Sequence, residues 1–256
     1  PGLVEAALTP RTKLVALASC HYLSGWRIDV EAIGQLLQSR NVLFSLDAIQ
    51  TVGAFPVNVE HVDFLSADAH KWMLGPMAIG IVYVARRNFE RCRPTLLGAW
   101  NVRSPEFITG SSIEFVESAQ RYEPGVLNIA GIYGMKASLE MLQATGIETV
   151  SQTILETSDH LRTALEELGF EFLSPPRDHP MRSGIVTASH PQVPSDSLFE
   201  SLNAARITAS LRMAHGGKKW IRFSPHFYNT RAEMDRVVDV LRQAKQAVAT
   251  TSFTRQ

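Results

Sequence analysis

Short apolar runs of strand length punctuate the first half of the chain. Leu14–Ala18, Val42–Leu46, Val62–Leu65 and Ile79–Val84 are continuous rather than alternating, and each ends in polar or glycine-bearing sequence. Between the first two runs, Asp29 is placed to cap a helix through Ser39, with Val30, Ile33, Leu36 and Leu37 at helical spacing. Continuous apolar strands alternating with a helix predict a mainly parallel α/β sheet whose strands are buried on both faces.

The pattern changes after residue 94. Pro94–Pro124, which includes Gly98, Trp100 and Gly110, has no regular period and predicts a long loop serving a substrate pocket or a subunit interface. Helical periodicity returns over Leu127–Leu142 and Ile147–Leu168, the latter stopped by Gly169. Strands are predicted at Phe170–Leu173, Gly184–Ala188, Ile207–Leu211 and Trp220–Phe223, with helices at Ser195–Ala205 and Arg231–Val248. The reading is a large domain over residues 1–145 and a small α+β domain over 146–256.

Composition narrows the classes of function. The 256 residues are 45% hydrophobic and 20% charged, as in an ordinary globular protein. Lys plus Arg and Asp plus Glu number 25 each, so no charge excess argues for nucleic acid or an anionic membrane. Cys20 and Cys92 show no CxxC or Cys/His ligand spacing, which argues against a disulfide framework and a structural zinc site, and no metal is expected. No apolar run reaches the roughly 18–20 residues that span a bilayer, and no signal peptide is visible, so the expected compartment is the cytosol.

The chemistry gathers at the ends of the apolar runs, where α/β sheets place their ligands. Asp47 follows the second run, and Ser66-Ala-Asp-Ala-His70-Lys71-Trp72 follows the third as a predicted loop. Alone, Lys71 reads as a solvated loop lysine and Asp47 as a turn or helix-cap residue. Together they are what a Schiff-base cofactor requires: an amine for its aldehyde and a carboxylate to keep a pyridine nitrogen protonated. Ser66 and His70 are suitable phosphate donors, and Gln50 could donate to a phenolic oxygen.

Asp47-Ala-Ile-Gln50, then Ser66-x-Asp-x-His70-Lys71-Trp72, Gly75-Pro76 and Ile79-Gly80-Ile-Val-Tyr83, resemble the class V aminotransferase family of fold-type I pyridoxal-phosphate enzymes. Arg121-Tyr-Glu-Pro-Gly125-x-x-Asn128 and Arg222-Phe-Ser-Pro-His-Phe-Tyr-Asn-Thr230 continue the match in the family's order. The resemblance implies an α/β fold-type I transferase, with an N-terminally incomplete large domain and a small α+β C-terminal domain. It implies pyridoxal 5'-phosphate as cofactor and an amino acid or keto acid as substrate. The implied reaction is transamination, epimerisation or elimination, carried out by a homodimer. Lys71 would form the Schiff base and shuttle the substrate's α-proton. Asp47 would pair with the pyridinium, Gln50 with the phenolic oxygen, Ser66 and His70 with the phosphate, and Arg222 with the substrate carboxylate.

Three departures shape the expectation. Val126 stands where the family often has a hydroxyl residue that reaches a neighbouring subunit's phosphate. The stretch Ser210–Lys219 has no cysteine where cysteine desulfurases carry their nucleophile, which sets persulfide chemistry low among the reactions. The family's Gly/Thr-rich phosphate turn is missing from these residues, leaving His21-Tyr22-Leu-Ser-Gly25 as a further cofactor-facing candidate or a plain turn. An alternative reading is therefore a truncated or degenerate, non-catalytic member that keeps the fold and the dimer surface.

Overall fold

Four strands of the first half form one sheet, and they are preceded by a short helix, α1 (Gly2–Ala7). A computed structural model describes residues 1–103 and 113–253, so part of the Pro94–Pro124 loop, Gly110 included, lies outside the described residues. Strands β1 (Leu14–Ala18), β2 (Leu43–Asp47), β3 (Phe64–Asp68) and β4 (Gly80–Val84) lie in the order β1-β2-β3-β4. The first two pairings are parallel; β4 returns antiparallel to β3. Helix α2 (Val30–Ser39) is the crossover between β1 and β2, and it buries Ile33, Gly34 and Leu37.

Burial of this sheet is one-sided, which differs from the expected burial on both faces. Phe44 and Leu46 of β2 and Leu65 and Ala67 of β3 are buried, whereas Asp47, Ser66 and Asp68 are exposed. On β4, Val82 is 71% exposed. The alternation of side chains along a strand sends one set to the core, and nothing among the described residues covers the other set.

The chain forms two compact units. Unit 1 comprises residues 1–18, 30–52 and 57–142; unit 2 comprises 19–29, 53–56 and 143–256. Helix α3 (Ile129–Thr145) runs to the boundary of unit 1. In unit 2, strands β5 (Glu171–Phe172), β6 (Val186–Ser189), β7 (Ser210–Met213) and β8 (Lys219–Phe223) form an antiparallel sheet in the order β5-β6-β8-β7. Helices α4 (Ile147–Glu167) and α5 (Ser195–Ala204) pack on it, and α6 (Arg231–Phe253) packs against both helices. Their apolar faces meet the sheet in a core that includes Leu161, Leu165, Leu198, Leu202, Ile221 and Leu241, all fully buried. Gly169, at φ +83°, adopts the left-handed conformation that ends α4.

Residues 19–29 are stitched to the rest of unit 2 mainly through Arg27. Its Nε donates to the Arg182 carbonyl at 2.7 Å and its Nη2 to the Pro180 carbonyl at 2.9 Å. The guanidinium also lies 4.2 Å above the Phe55 ring. The Thr187 hydroxyl of β6 donates to the Leu23 carbonyl at 2.5 Å.

His190 gives unit 2 a pH-dependent element. Its Nδ1 accepts from the Gln192 amide at 3.1 Å, and its ring meets Phe170 edge-on. Burial, with Lys245 nearby, holds its pKa below the ordinary imidazole value, despite opposing contributions from the Leu168 backbone and Glu171. The unfolded chain therefore takes up a proton at a pH where the folded imidazole stays neutral. Stability is present above the ordinary value of about 6.5 and declines as pH falls below it. Denaturation midpoints across this window should fall on acidification, and His190→Phe should flatten the slope; an unchanged slope would remove His190 as the cause.

Among the described residues, no helix is long and apolar enough to cross a membrane. No group of three or more His, Cys, Asp or Glu residues among them is arranged to hold a metal ion.

Candidate active site

Asp47 and Ser66 are brought side by side by strand register. Asp47, the last residue of β2, is the Cα partner of Ser66 at the centre of β3, and the Ala48 amide donates to the Ser66 carbonyl at 2.8 Å. Partners in a parallel pair point to the same face, so both side chains project from the open side of the sheet. The small Ala18 is the register partner of Asp47 on β1. Asp47 Oδ1 accepts from the Ile49 amide at 3.0 Å, which fixes the carboxylate over the turn that follows.

Ser66 is not in a loop, as the apolar pattern implies, but in the middle of β3. The strand runs on through Asp68, held by antiparallel pairing of Ser66 with Val82 and Asp68 with Gly80. The apolar run stops at Leu65 because the following outward positions face the open side. The loop proper begins at Ala69.

That loop is closed at its base and bent tightly within. The Ala69 amide donates to the Ile79 carbonyl at 2.9 Å, Gly75 to Ala69 at 2.8 Å, and Leu74 to Lys71 at 3.0 Å. Leu74 and Ala78 sit at φ +56° and +59°, an uncommon conformation for residues with a side chain. A Cβ at Gly75 would lie 2.7 Å from that of Ala69, so only glycine permits the close return. Helix α3 braces the loop: Ser138 Oγ donates to the Leu74 carbonyl at 2.9 Å and Asn128 Nδ2 to the Ala78 carbonyl at 3.1 Å.

Within this frame Trp72 and Met73 point inward, at 5% and 1% exposure, while His70 and Lys71 are exposed. His70 Nδ1 lies 3.6 Å from Asp68 Oδ2. Neither Lys71 nor Asp47 takes part in an ion pair among the described residues. Gln50 is buried, and its Oε1 accepts from the Trp72 indole at 2.9 Å. This bond joins the turn after Asp47 to the loop of Lys71. Motif reading places both residues but finds no contact between them.

Arg222 belongs to unit 2. It projects from β8 between its register partners Thr187 and Ser210. One Nη donates to the Tyr22 carbonyl at 2.9 Å, and the buried Nε has no hydrogen-bond partner among the described residues. Burial, followed by repulsion from Arg212, lowers its pKa, though a guanidinium remains charged. The Tyr22 contact links positions 200 apart and leaves no local signal in the sequence. The His21–Gly25 segment forms a tight turn, with the Gly25 amide on the His21 carbonyl at 2.8 Å and His21 Nδ1 2.8 Å from Ser24 Oγ. Val126 is 84% exposed.

The sheet and its parallel pairings belong to the fold of the fold-type I pyridoxal-phosphate enzymes. Residues 1–237 match the family Aminotransferase class-V, and the chain belongs to that family. It is 26% identical to a probable cysteine desulfurase of Pyrococcus abyssi, over 90% of this chain and 59% of that protein. It is 24% identical to the uncharacterized aminotransferase YcbU of Bacillus subtilis, over 92% of this chain and 60% of that one. Among solved structures, an apo cysteine desulfurase from Thermococcus onnurineus NA1 superposes with TM-score 0.81 at 26% identity, over 90% of this chain and 59% of that chain. A C-DES mutant with glycine covalently linked to its PLP cofactor shares the fold, with TM-score 0.82 at 21% identity, over 94% of this chain and 63% of that chain. The chain thus spans about 60% of the length of the curated relatives it matches.

The donor set suits the cofactor that the fold implies. The Asp47 carboxylate, in no ion pair among the described residues, stands at the end of β2. The Ser66 hydroxyl stands beside it on β3, and the Lys71 amine, likewise in no ion pair among the described residues, lies in the braced loop leaving that strand.

Proposed function

We propose that this chain carries the pyridoxal-phosphate site of an enzyme acting on an amino acid or keto acid. The observation that carries the reading is the register pairing of Asp47, at the end of β2, with Ser66 on the adjacent parallel strand β3, with the braced Lys71 loop leaving from β3. When bound, pyridoxal phosphate supplies an electron sink that stabilises negative charge at the substrate's α-carbon. Lys71 Nζ would attach the cofactor and move the α-proton. Asp47 would hold a proton on the pyridine nitrogen, and Gln50 would donate its amide NH2 to the phenolic oxygen. Ser66 Oγ and His70 would bind phosphate, and Arg222 would take the substrate carboxylate in a planar, two-pronged contact.

Transamination, epimerisation and elimination all use this set. Desulfuration through a protein persulfide is disfavoured on this reading. The β7–β8 turn is short, closed by the Ala214 amide on the Lys218 carbonyl at 2.9 Å, and Ser210–Lys219 contains no thiol. Cys20 is fully buried, and burial raises its pKa, which disfavours the thiolate such chemistry needs. A homodimer in the cytosol is part of the proposal, supported by the family resemblance and by the lack of a membrane-spanning helix among the described residues.

The test is covalent. The protein is incubated with pyridoxal phosphate, reduced with borohydride and digested, and the modified residue is mapped. Lys71 should carry the label and Lys71→Ala should lose it. A label spread over other lysines, or none on Lys71 even in a protein extended upstream, would sink the proposal. A label that requires the extension would show that the phosphate cradle draws on residues outside these 256.

A further inference from the structure

An indole nitrogen only donates hydrogen bonds, whereas a glutamine amide has one end that accepts and one that donates. The 2.9 Å contact between Trp72 Nε1 and Gln50 Oε1 therefore settles which way the amide faces. Its oxygen is committed to Trp72, and its NH2 is turned away as a donor. Trp72 is 5% exposed and Gln50 6% exposed, so water competes little for the bond. The backbone on the Gln50 side is held as well, with the Thr51 and Val52 amides both on the Ala48 carbonyl at 3.0 Å. A phenylalanine at position 72 would fill most of the same space and leave the amide free to turn.

We infer that Trp72 is a positioning residue: through Gln50 it presents an N–H donor, rather than a carbonyl, to the phenolic oxygen of the cofactor. The inference rests on the cofactor reading above. A donor at that oxygen favours its more negative, deprotonated form, so losing the donor moves the associated titration to higher pH.

The experiment follows the absorption of bound pyridoxal phosphate against pH in the wild type, Trp72→Phe, Gln50→Leu and the double variant. Both single variants should raise the midpoint by about one unit, the scale of one hydrogen bond to a charged oxygen. The double variant should move it no further than either alone, since both changes remove one interaction. A purely structural indole would alter the thermal midpoint and leave the titration in place. A second readout uses the unmodified protein. Of the four tryptophans, the indole N–H resonance displaced by Gln50→Leu should also shift when pyridoxal phosphate is added. If Trp72→Phe does not fold, that resonance decides alone. A wild-type titration in Trp72→Phe, or an indole resonance that ignores the cofactor while Lys71 is labelled, overturns the inference. Absence of the Lys71 label in the wild type sinks the cofactor reading and this inference together.

Discussion

Asp47→Asn is expected to weaken pyridoxal-phosphate binding and amino-acid processing together by about a hundredfold or more, with little change in folding stability. The substitution separates the two roles that the position allows. Asparagine keeps a side-chain oxygen for the Ile49 amide, the 3.0 Å bond that shapes the turn after β2. It removes only the negative charge. That charge has no cationic partner among the described residues, and in an exposed turn it adds little to the Ile49 bond, so the folded chain gains little from it without a ligand. With the cofactor in place the carboxylate would face a protonated ring nitrogen in a covered site. Breaking such a pair costs about 3 kcal/mol or more, and each 1.36 kcal/mol is a factor of ten. The measurements are cofactor affinity by equilibrium dialysis, amino-acid-dependent spectral change, and thermal unfolding. If Asp47→Asn binds the cofactor as tightly as the wild type, Asp47 is a turn residue and nothing more.

The contrast between those two roles shows what the sequence carried and what it did not. Strand β1 and helices α2 and α4 lie almost where periodicity puts them, because each has a local apolar pattern, and Gly169 stops α4. Strand β3 was harder. Its second half alternates buried Ala67 with exposed Ser66 and Asp68, so the apolar run ends before the strand does. The apolar pattern of β4 does not set its direction; the short connection through the Lys71 loop, with no room for a crossover helix, makes it antiparallel to β3. The family was legible from the motifs, as the match over residues 1–237 shows. The contacts were not. Trp72 on Gln50, Arg27 on Pro180 and Arg182, and Tyr22 on Arg222 each join residues whose own neighbourhoods have no periodic signature.

Asp63 is the strongest case of this kind, and it sets the second large expectation: Asp63→Ala should destabilise unit 1 by about 3–5 kcal/mol. The residue lies just before β3 and is 8% exposed. Its Oδ2 accepts from the Phe44 amide at 2.8 Å, while Oδ1 takes Arg87 Nε at 3.1 Å and Asn88 Nδ2 at 2.7 Å. Its backbone joins the same neighbours, donating to the Phe44 carbonyl at 3.0 Å and accepting from the Ala85 amide at 2.9 Å. One carboxylate thus ties β2 to the segment that follows β4, across the sheet. Truncation leaves two buried donors, on Phe44 and Asn88, without an acceptor, and each such group costs about 1–3 kcal/mol. Arg87 adds less, because its side chain is 45% exposed and water can replace the partner. Asp63→Asn should fall in between. It restores one acceptor but turns an NH2 toward donors that already crowd the site. The measurements are guanidinium unfolding and hydrogen exchange at the Phe44 amide, which should lose its protection first. β2 also ends in Asp47, so loosening Phe44 should reduce cofactor affinity in proportion to the lost protection. A loss of stability below about 1 kcal/mol would mean that water reaches these donors and that the carboxylate does not hold the sheet.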